Sequence, residues 1–258
     1  MKVADICRII EDFASLDKQE SYDNSGLQVG DPQMDVKGVL ICLDMSEEVI
    51  DEALSLGCNM VVSHHPLLFR GLKQITGRTS VERSVIKALQ QHVALYSGHT
   101  NVDSVCQGVS AKMCEKLGLR SLGFLSPKTE DAGLGMIGEF ETPISEDDFL
   151  ALVKKTFSCG GLRHSHKTGK SIKKVALCGG SGAEFLSEAM AAGADAYLTA
   201  DLKYHDFSRP EGALLLVDAG HFETEQYTKE IFYDLLSKNI ATFAVRISQT
   251  EQNPVCYF

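Results

Sequence analysis

Lys37-Gly38-Val39-Leu40-Ile41-Cys42-Leu43-Asp44 opens the run that decides the fold class. A helical stretch follows from Glu47 to Leu56, and then Gly57-Cys58-Asn59-Met60-Val61-Val62-Ser63. A short apolar strand, an amphipathic helix closed by glycine and a second apolar strand make a βαβ unit. Gly57 stands where a helix C-terminus wants a left-handed residue. The same order returns downstream. Lys173-Lys174-Val175-Ala176-Leu177-Cys178-Gly179-Gly180 is followed by a helical stretch from Ala183 to Ala192, then Gly193-Ala194-Asp195-Ala196-Tyr197-Leu198-Thr199. The register holds without a gap from Cys42 and Cys178, through Gly57 and Gly193, to Ser63 and Thr199.

The parallel extends further. Apolar strands ending at Ser97 and Asp218 each run into Gly-His-x-x-x-acid, from Gly98 to Asp103 and from Gly220 to Glu225. Helices are expected after each, from Ser104 to Leu117 and from Tyr227 to Leu236. These repeats predict an internal duplication: an α/β protein of two related lobes, with sheets flanked by helices. The expected organisation is a first lobe over 1–123, a connector over 124–172 and a second lobe over 173–258. The connector carries a strand from Met136 to Phe140 and a helix opening at Ser145, where Asp148 completes a capping-box pattern.

Composition narrows the function classes. At 44% hydrophobic and 23% charged residues, the 258-residue chain has the balance of a soluble globular protein. A net charge of -10 argues against a nucleic-acid partner, which needs a basic face. The one basic run, from Arg163 to Lys174, reads as a solvated connector. The N-terminal residues read as an amphipathic helix rather than a signal peptide, since Asp5 and Arg8 interrupt any apolar core. No apolar run has the length of a membrane span. Eight cysteines, none in a C-x-x-C pair, read as reduced thiols, Cys42 among them in the core. The expected compartment is the cytoplasm.

Chemistry gathers at the strand ends, where open α/β sheets collect ligands. Five of the eight histidines fall there: His64, His65, His99, His205 and His221. Pro66 disfavours helix at His65 and cannot donate to a ladder, so the strand stops near Ser63. In the loop beyond it, adjacent imidazoles can reach two different metals. Asp103 and Glu225 each stand four residues after a histidine, which a helix start places on one side. Their carboxylates can bridge two cations. His64, His65, Asp103, His221 and Glu225 thus form a mixed N/O set suited to two divalent ions such as Zn, Fe, Mn, Ni or Co. The bland alternatives are a polar loop and two ordinary helix starts.

Other stretches read two ways. Gly179, Gly180, Ser181 and Gly182 lie between a strand and a helix, so their N–H groups could hold a phosphate or simply make a tight turn. His205 reads as a general acid/base or supporting group, or as a capped surface histidine. His164 and His166 make an H-x-H pair inside the basic run.

These residues resemble a known family, the Ngg-interacting-factor-three-like proteins, named as GTP cyclohydrolase type-two homologues. The resemblance runs nearly end to end. It is carried by Tyr22 to Gly30, Ser63 to Pro66, His99 to Asp103, Cys178 to Gly182, Asp201 to His205, Gly220 to Glu225 and Asn253 to Val255. It implies a dinuclear metal site on the same five residues and a toroidal homohexamer with the sites facing an internal cavity. Tyr22 stands where bacterial relatives often have Trp. The stretch from Phe124 to Ile172 is too short for the domain that some relatives insert between the lobes. Two functions follow. One is a metal-dependent hydrolase of a nucleotide or related small molecule, with His205 or Glu223 moving protons, His99 orienting a ligand and the Gly179–Gly182 loop binding phosphate. The other is a non-catalytic metal-binding assembly or regulator.

Overall fold

The computed structural model describes residues 1–258. Its strands are β1 (Gly26–Val29), β2 (Gly38–Cys42), β3 (Met60–Ser63), β4 (Ala94–Ser97), β5 (Arg120–Pro127), β6 (Gly133–Ile144), β7 (Arg163–His164), β8 (Ile172–Ser181), β9 (Ala196–Ala200), β10 (Leu215–Asp218) and β11 (Ala244–Ile247). They form two mixed sheets, in the orders β1-β4-β3-β2-β11 and β5-β6-β8-β9-β10-β7. The chain divides into two compact units, one for each sheet. The first holds Met1–Val102 with Thr228–Gln252, the second Asp103–Tyr227 with Asn253–Phe258.

These boundaries differ from the expected ones. The stretch over 124–172 is no connector, because its residues build β6, β7 and the second half of β5 and so belong to the second sheet. The C-terminal residues split as well, because β11 pairs with β2 in parallel and returns the chain to the first unit. Strand order alone could not show that return, since Ala244–Ile247 is only partly buried and its apolar pattern is short.

In the first unit, β2, β3 and β4 are parallel neighbours, and β1 runs antiparallel to β4 at the edge. All five residues of β2 are buried, as a parallel strand covered on both faces requires. Leu40, Ile50, Val61 and Leu95 pack in one core cluster. The helix Val3–Phe13 buries Val3, Ile6, Cys7 and Ile10, a three-to-four spacing that follows the 3.6-residue turn.

In the second unit, β8, β9 and β10 are likewise parallel, with β7 antiparallel to β10. The remaining edge is the antiparallel pair β5 and β6, with β6 also antiparallel to β8. Alternation divides the strands between two cores. Val175, Leu177, Leu198 and Val217 meet Phe149 and Phe157 on one face. Ala176, Cys178, Tyr197 and Leu216 meet Leu186 on the other.

The paired glycines behave alike. Gly57 and Gly193 have φ of 72° and 66°. In each case the glycine N–H and the next N–H bond back to helix carbonyls: Gly57 to Leu54 and Cys58 to Ala53, Gly193 to Met190 and Ala194 to Ala189. Both helices therefore close with a Schellman motif. Ser145 starts the helix Glu146–Thr156 as expected, its Oγ accepting from Asp148 N at 3.1 Å. Ser145→Ala should cost about 1 kcal/mol in urea unfolding, the usual value of an N-cap; an unchanged midpoint would remove the cap from the account.

The basic run is partly structural. Arg163 pairs with Asp218 and donates to Leu202 O at 2.9 Å, which ties β7 to the sheet edge. Six cysteines are buried, and Cys106 and Cys256 are exposed. No helix is long and apolar enough to cross a membrane.

Candidate metal centre

The first unit delivers three histidines. β3 ends at Ser63, and the next residues turn away from the ladder. His65 N donates to Leu43 O at 2.9 Å, Ser97 Oγ donates to His64 O at 2.6 Å, and Ser63 Oγ donates to His65 O at 2.6 Å. These bonds fix a loop whose two side chains are imidazoles. His99 stands two residues past the end of β4. A ring nitrogen from each of His64, His65 and His99 lies within 4.8 Å of the other two. His64 is fully buried.

The second unit delivers one histidine and two acids. His221 and Glu225 begin and end the short helix His221–Glu225, so the i, i+4 spacing puts them on one side. His221 Nε2 stands 2.9 Å from Glu225 Oε2. Burial alone would lower the His221 pKa. The hydrogen bonds and charges of Asp201 and Glu225 outweigh it and raise the pKa from 6.5 to about 11. Asp103 closes the helix Thr100–Asp103. The Cys178 thiol is pushed upward, first by burial and then by the negative charges of Asp103, Glu184 and Glu225. Asp103 and Glu225 therefore bear on one region of this unit.

A shared device orients the rings. His64 Nδ1 donates to Gly98 O at 2.9 Å, and His65 Nδ1 to Asp44 Oδ1 at 2.8 Å. His99 Nδ1 donates to Asp23 Oδ1 and His221 Nδ1 to Asp201 Oδ2, both at 2.7 Å. Each acceptor has no proton to give, so Nδ1 carries the hydrogen. Nε2 would then be the nitrogen to meet a metal, the arrangement by which proteins hold ligating histidines. Neutral imidazoles with carboxylates are the donor chemistry of a borderline divalent ion, so the residues fit such an ion. The supporting acids Asp23, Asp44 and Asp201 were not singled out in the sequence. Two of them left a signal: Asp44 and Asp201 each stand just past a strand that ends at the histidine edge.

The remaining sequence candidates have other surroundings. Gly179 N donates to Ser110 Oγ at 3.3 Å and Gly180 N to Thr224 Oγ1 at 3.0 Å, so these two amides are engaged inside the unit. Residues through Ser181 belong to β8, and Gly182 precedes a 3₁₀ turn. Gly180 also makes room for the acid: a Cβ there would stand 2.1 Å from Glu225 Oε1, at a φ of 61°. Gly180→Ala should therefore lower both the melting temperature and the metal content, because φ above zero alone costs about 1 kcal/mol and Glu225 must move. Full metal content in a stable variant would separate the glycine from the site. Glu223 is buried and accepts from Asn253 Nδ2 at 3.0 Å and Tyr257 Oη at 3.3 Å, which pins the C-terminal residues. His205 is exposed on the turn Tyr204–Ser208, with its ring against Tyr204. His164 is exposed on β7, its Nδ1 bonded to Ser165 O.

The chain is similar to known proteins along most of its length. A Clostridium acetobutylicum protein named GTP cyclohydrolase 1 type 2 homolog is 37% identical over 229 residues, covering 87% of this chain and 85% of its own. A Campylobacter jejuni protein of that name is 31% identical and covers all of both chains. Among solved structures, a Staphylococcus aureus hypothetical protein superposes with a TM-score of 0.93 at 26% identity, covering 100% of this chain and 99% of its own. Reduced HcgD from Methanocaldococcus jannaschii gives 0.80 at 30% identity, covering 95% and 97%. The description Duf34/NIF3 (NGG1p interacting factor 3) matches residues 1–254, and the chain belongs to that family.

Proposed function

We propose that the chain binds two divalent ions through His64, His65, Asp103, His221 and Glu225, and hydrolyses a nucleotide or related small molecule with them. The observation that carries this reading is the set of four histidines whose Nδ1–H groups are all taken by a carboxylate or a carbonyl. Bound ions would supply Lewis acidity and lower the pKa of a bound water toward neutrality. The chain's own part is to fix each ring through its Nδ1–H, which presents Nε2 to an ion, and to keep its carboxylates ionised. Hydrogen bonding to His221 keeps the Asp201 carboxyl below the ordinary range, so it can fix that ring at neutral pH. His205, exposed to solvent, is the candidate for protonating a leaving group.

The two units repeat one arrangement: three parallel strands with an antiparallel edge strand beside the third. That repeat, with the matched Schellman glycines, supports descent from one duplicated unit. A homohexamer in the cytoplasm is proposed on the family resemblance, and light scattering of the purified protein tests the assembly. One observation favours the non-catalytic alternative. Glu223, the other candidate proton carrier, is buried and bonded to Asn253 and Tyr257. The deciding experiment is a screen of nucleotides and related metabolites with metal-loaded and chelator-treated protein. Turnover that disappears with the metal supports the hydrolase. No turnover of any of them by fully loaded protein hands the function to the metal-binding assembly.

A further inference from the structure

Two large rings stand at the surface of the first unit. Tyr22 is 62% exposed and Phe69 43%. Their centroids are 6.4 Å apart with the planes at 61°, and the Phe69 ring meets His99 at 6.2 Å and 79°. The backbone beneath them is fixed. Tyr22 sits in a turn closed by Asp23 N donating to Glu20 O at 3.0 Å. Asn24 Nδ2 donates to Leu68 O at 2.7 Å, Leu68 N to Gln28 Oε1 at 3.1 Å and Gln28 Nε2 to Asn24 O at 2.6 Å. These three bonds join the loop that carries Tyr22 to the residue before Phe69. A ring that only completes a core is covered by it, whereas these two keep much of their surface in water on a rigid base.

The charge beside them runs against the rest of the chain. From Phe69 to Thr79 the sequence carries Arg70, Lys73 and Arg78 and no acid, in a chain of net charge -10. All three cations are exposed. The far end of this loop is held by Glu82, whose Oε2 accepts from Thr76 N at 2.8 Å, from Thr76 Oγ1 at 2.9 Å and from Arg78 N at 3.1 Å. Those donors hold the Glu82 pKa down to about 2, so the carboxylate is spent on anchoring the loop. Arg70 and Lys73 lie between the two anchors. An aromatic surface next to exposed cations offers a π face to a planar ring and positive charge to an anion.

We propose that Tyr22 and Phe69 stack the base of a nucleoside phosphate and that Arg70 and Lys73 bind its phosphate. Arg70 is the residue after Phe69, with its Cα about 3.8 Å away. A phosphate carried on the sugar of a stacked base therefore stays within reach of its long side chain. Ring and charge together fit a nucleotide better than a free base or a sugar phosphate. The inference rests on the reading of the site as one for a nucleotide or related small molecule, and it gives that substrate its class. Binding here needs neither metal ion.

The test is calorimetric titration of the metal-free full-length protein with AMP and GMP, with adenosine and guanosine, and with ribose 5-phosphate. Both nucleotides are expected to bind, each more tightly than its nucleoside or the sugar phosphate. The advantage over the nucleoside should shrink as salt is added. Tyr22→Ala and Phe69→Ala should each weaken nucleotide binding by about 5–150-fold, the range for removing one stacked ring. Tyr22→Phe and Phe69→Tyr should keep it, so a folding defect in an alanine variant does not decide the matter. Arg70→Gln combined with Lys73→Gln should bring the nucleotide down to the affinity of its nucleoside. Wild-type affinity in both alanine variants, or equal binding of nucleotide and ribose 5-phosphate, would overturn the stacking site. Equal binding of nucleotide and nucleoside by the wild type would overturn the phosphate site. No binding of either nucleotide would overturn the whole inference, while metal-dependent turnover of another metabolite would leave the hydrolase reading standing. A single-stranded oligonucleotide that binds far more tightly than the mononucleotides, with the same loss in the ring variants, would overturn the free nucleotide as ligand in favour of a strand.

Discussion

Glu225→Gln is expected to lose metal while the fold survives. Gln keeps the size of the side chain, and the site for it is tight: Gly180 and the His221 ring stand against it. What changes is the charge. A neutral amide cannot replace a carboxylate as ligand to a divalent ion, so the loss should exceed the about 10–100-fold that removing a supporting residue costs. The metal-free variant should melt close to the metal-free wild type, since His221 keeps Asp201 as its anionic partner. The measurements are elemental analysis after reconstitution and a melt of each metal-free protein. A variant that retains two ions per chain would remove Glu225 from the ligand set.

The histidine edge could be read in the sequence because strand ends leave simple signals. Val61-Val62-Ser63 running into His64-His65-Pro66 stops a strand and exposes two rings, and the structure has the strand end at Ser63. Gly-His-x-x-x-Glu reads as a helix start with its acid on the histidine side, and His221 and Glu225 meet in that way. The unit boundaries were less accessible because they depend on long-range pairing. Nothing local in Ala244–Ile247 says that it will join β2, and nothing in Met136–Phe140 says how far a strand that extends over Gly133–Ile144 will run. The supporting acids escaped for a similar reason. Asp23 meets His99 across 76 positions of sequence, a contact made by β1 pairing with β4 and invisible to any local pattern. The helix expected from Ser104 begins only at Val109, after a turn closed by Gly108 N bonding to Val105 O. Gly108 breaks the helical propensity there.

The largest response to solution conditions should come from His221. In the metal-free protein its pKa is about 11, against 6.5 for the ordinary group. A folded pKa above the unfolded one stabilises the protein fully below pH 6.5, and that contribution disappears as the pH climbs through about 11. The side chain is 36% exposed, so water screens the pairs with Asp201 and Glu225 and the stability change stays modest. Metal affinity should move the other way and by more. An ion needs the Nε2 lone pair, and the proton there must leave first. Each pH unit below the His221 pKa therefore costs about tenfold in apparent affinity through this one proton. Zinc competition titrations from pH 6 to 9, a range of about three such units, should show the rise for the ion that His221 binds. His221→Gln should flatten that rise, and should also flatten the pH dependence of the metal-free melt relative to wild type. Equal slopes in the two proteins, in both measurements, would mean that His221 neither carries the proton nor yields it to a metal.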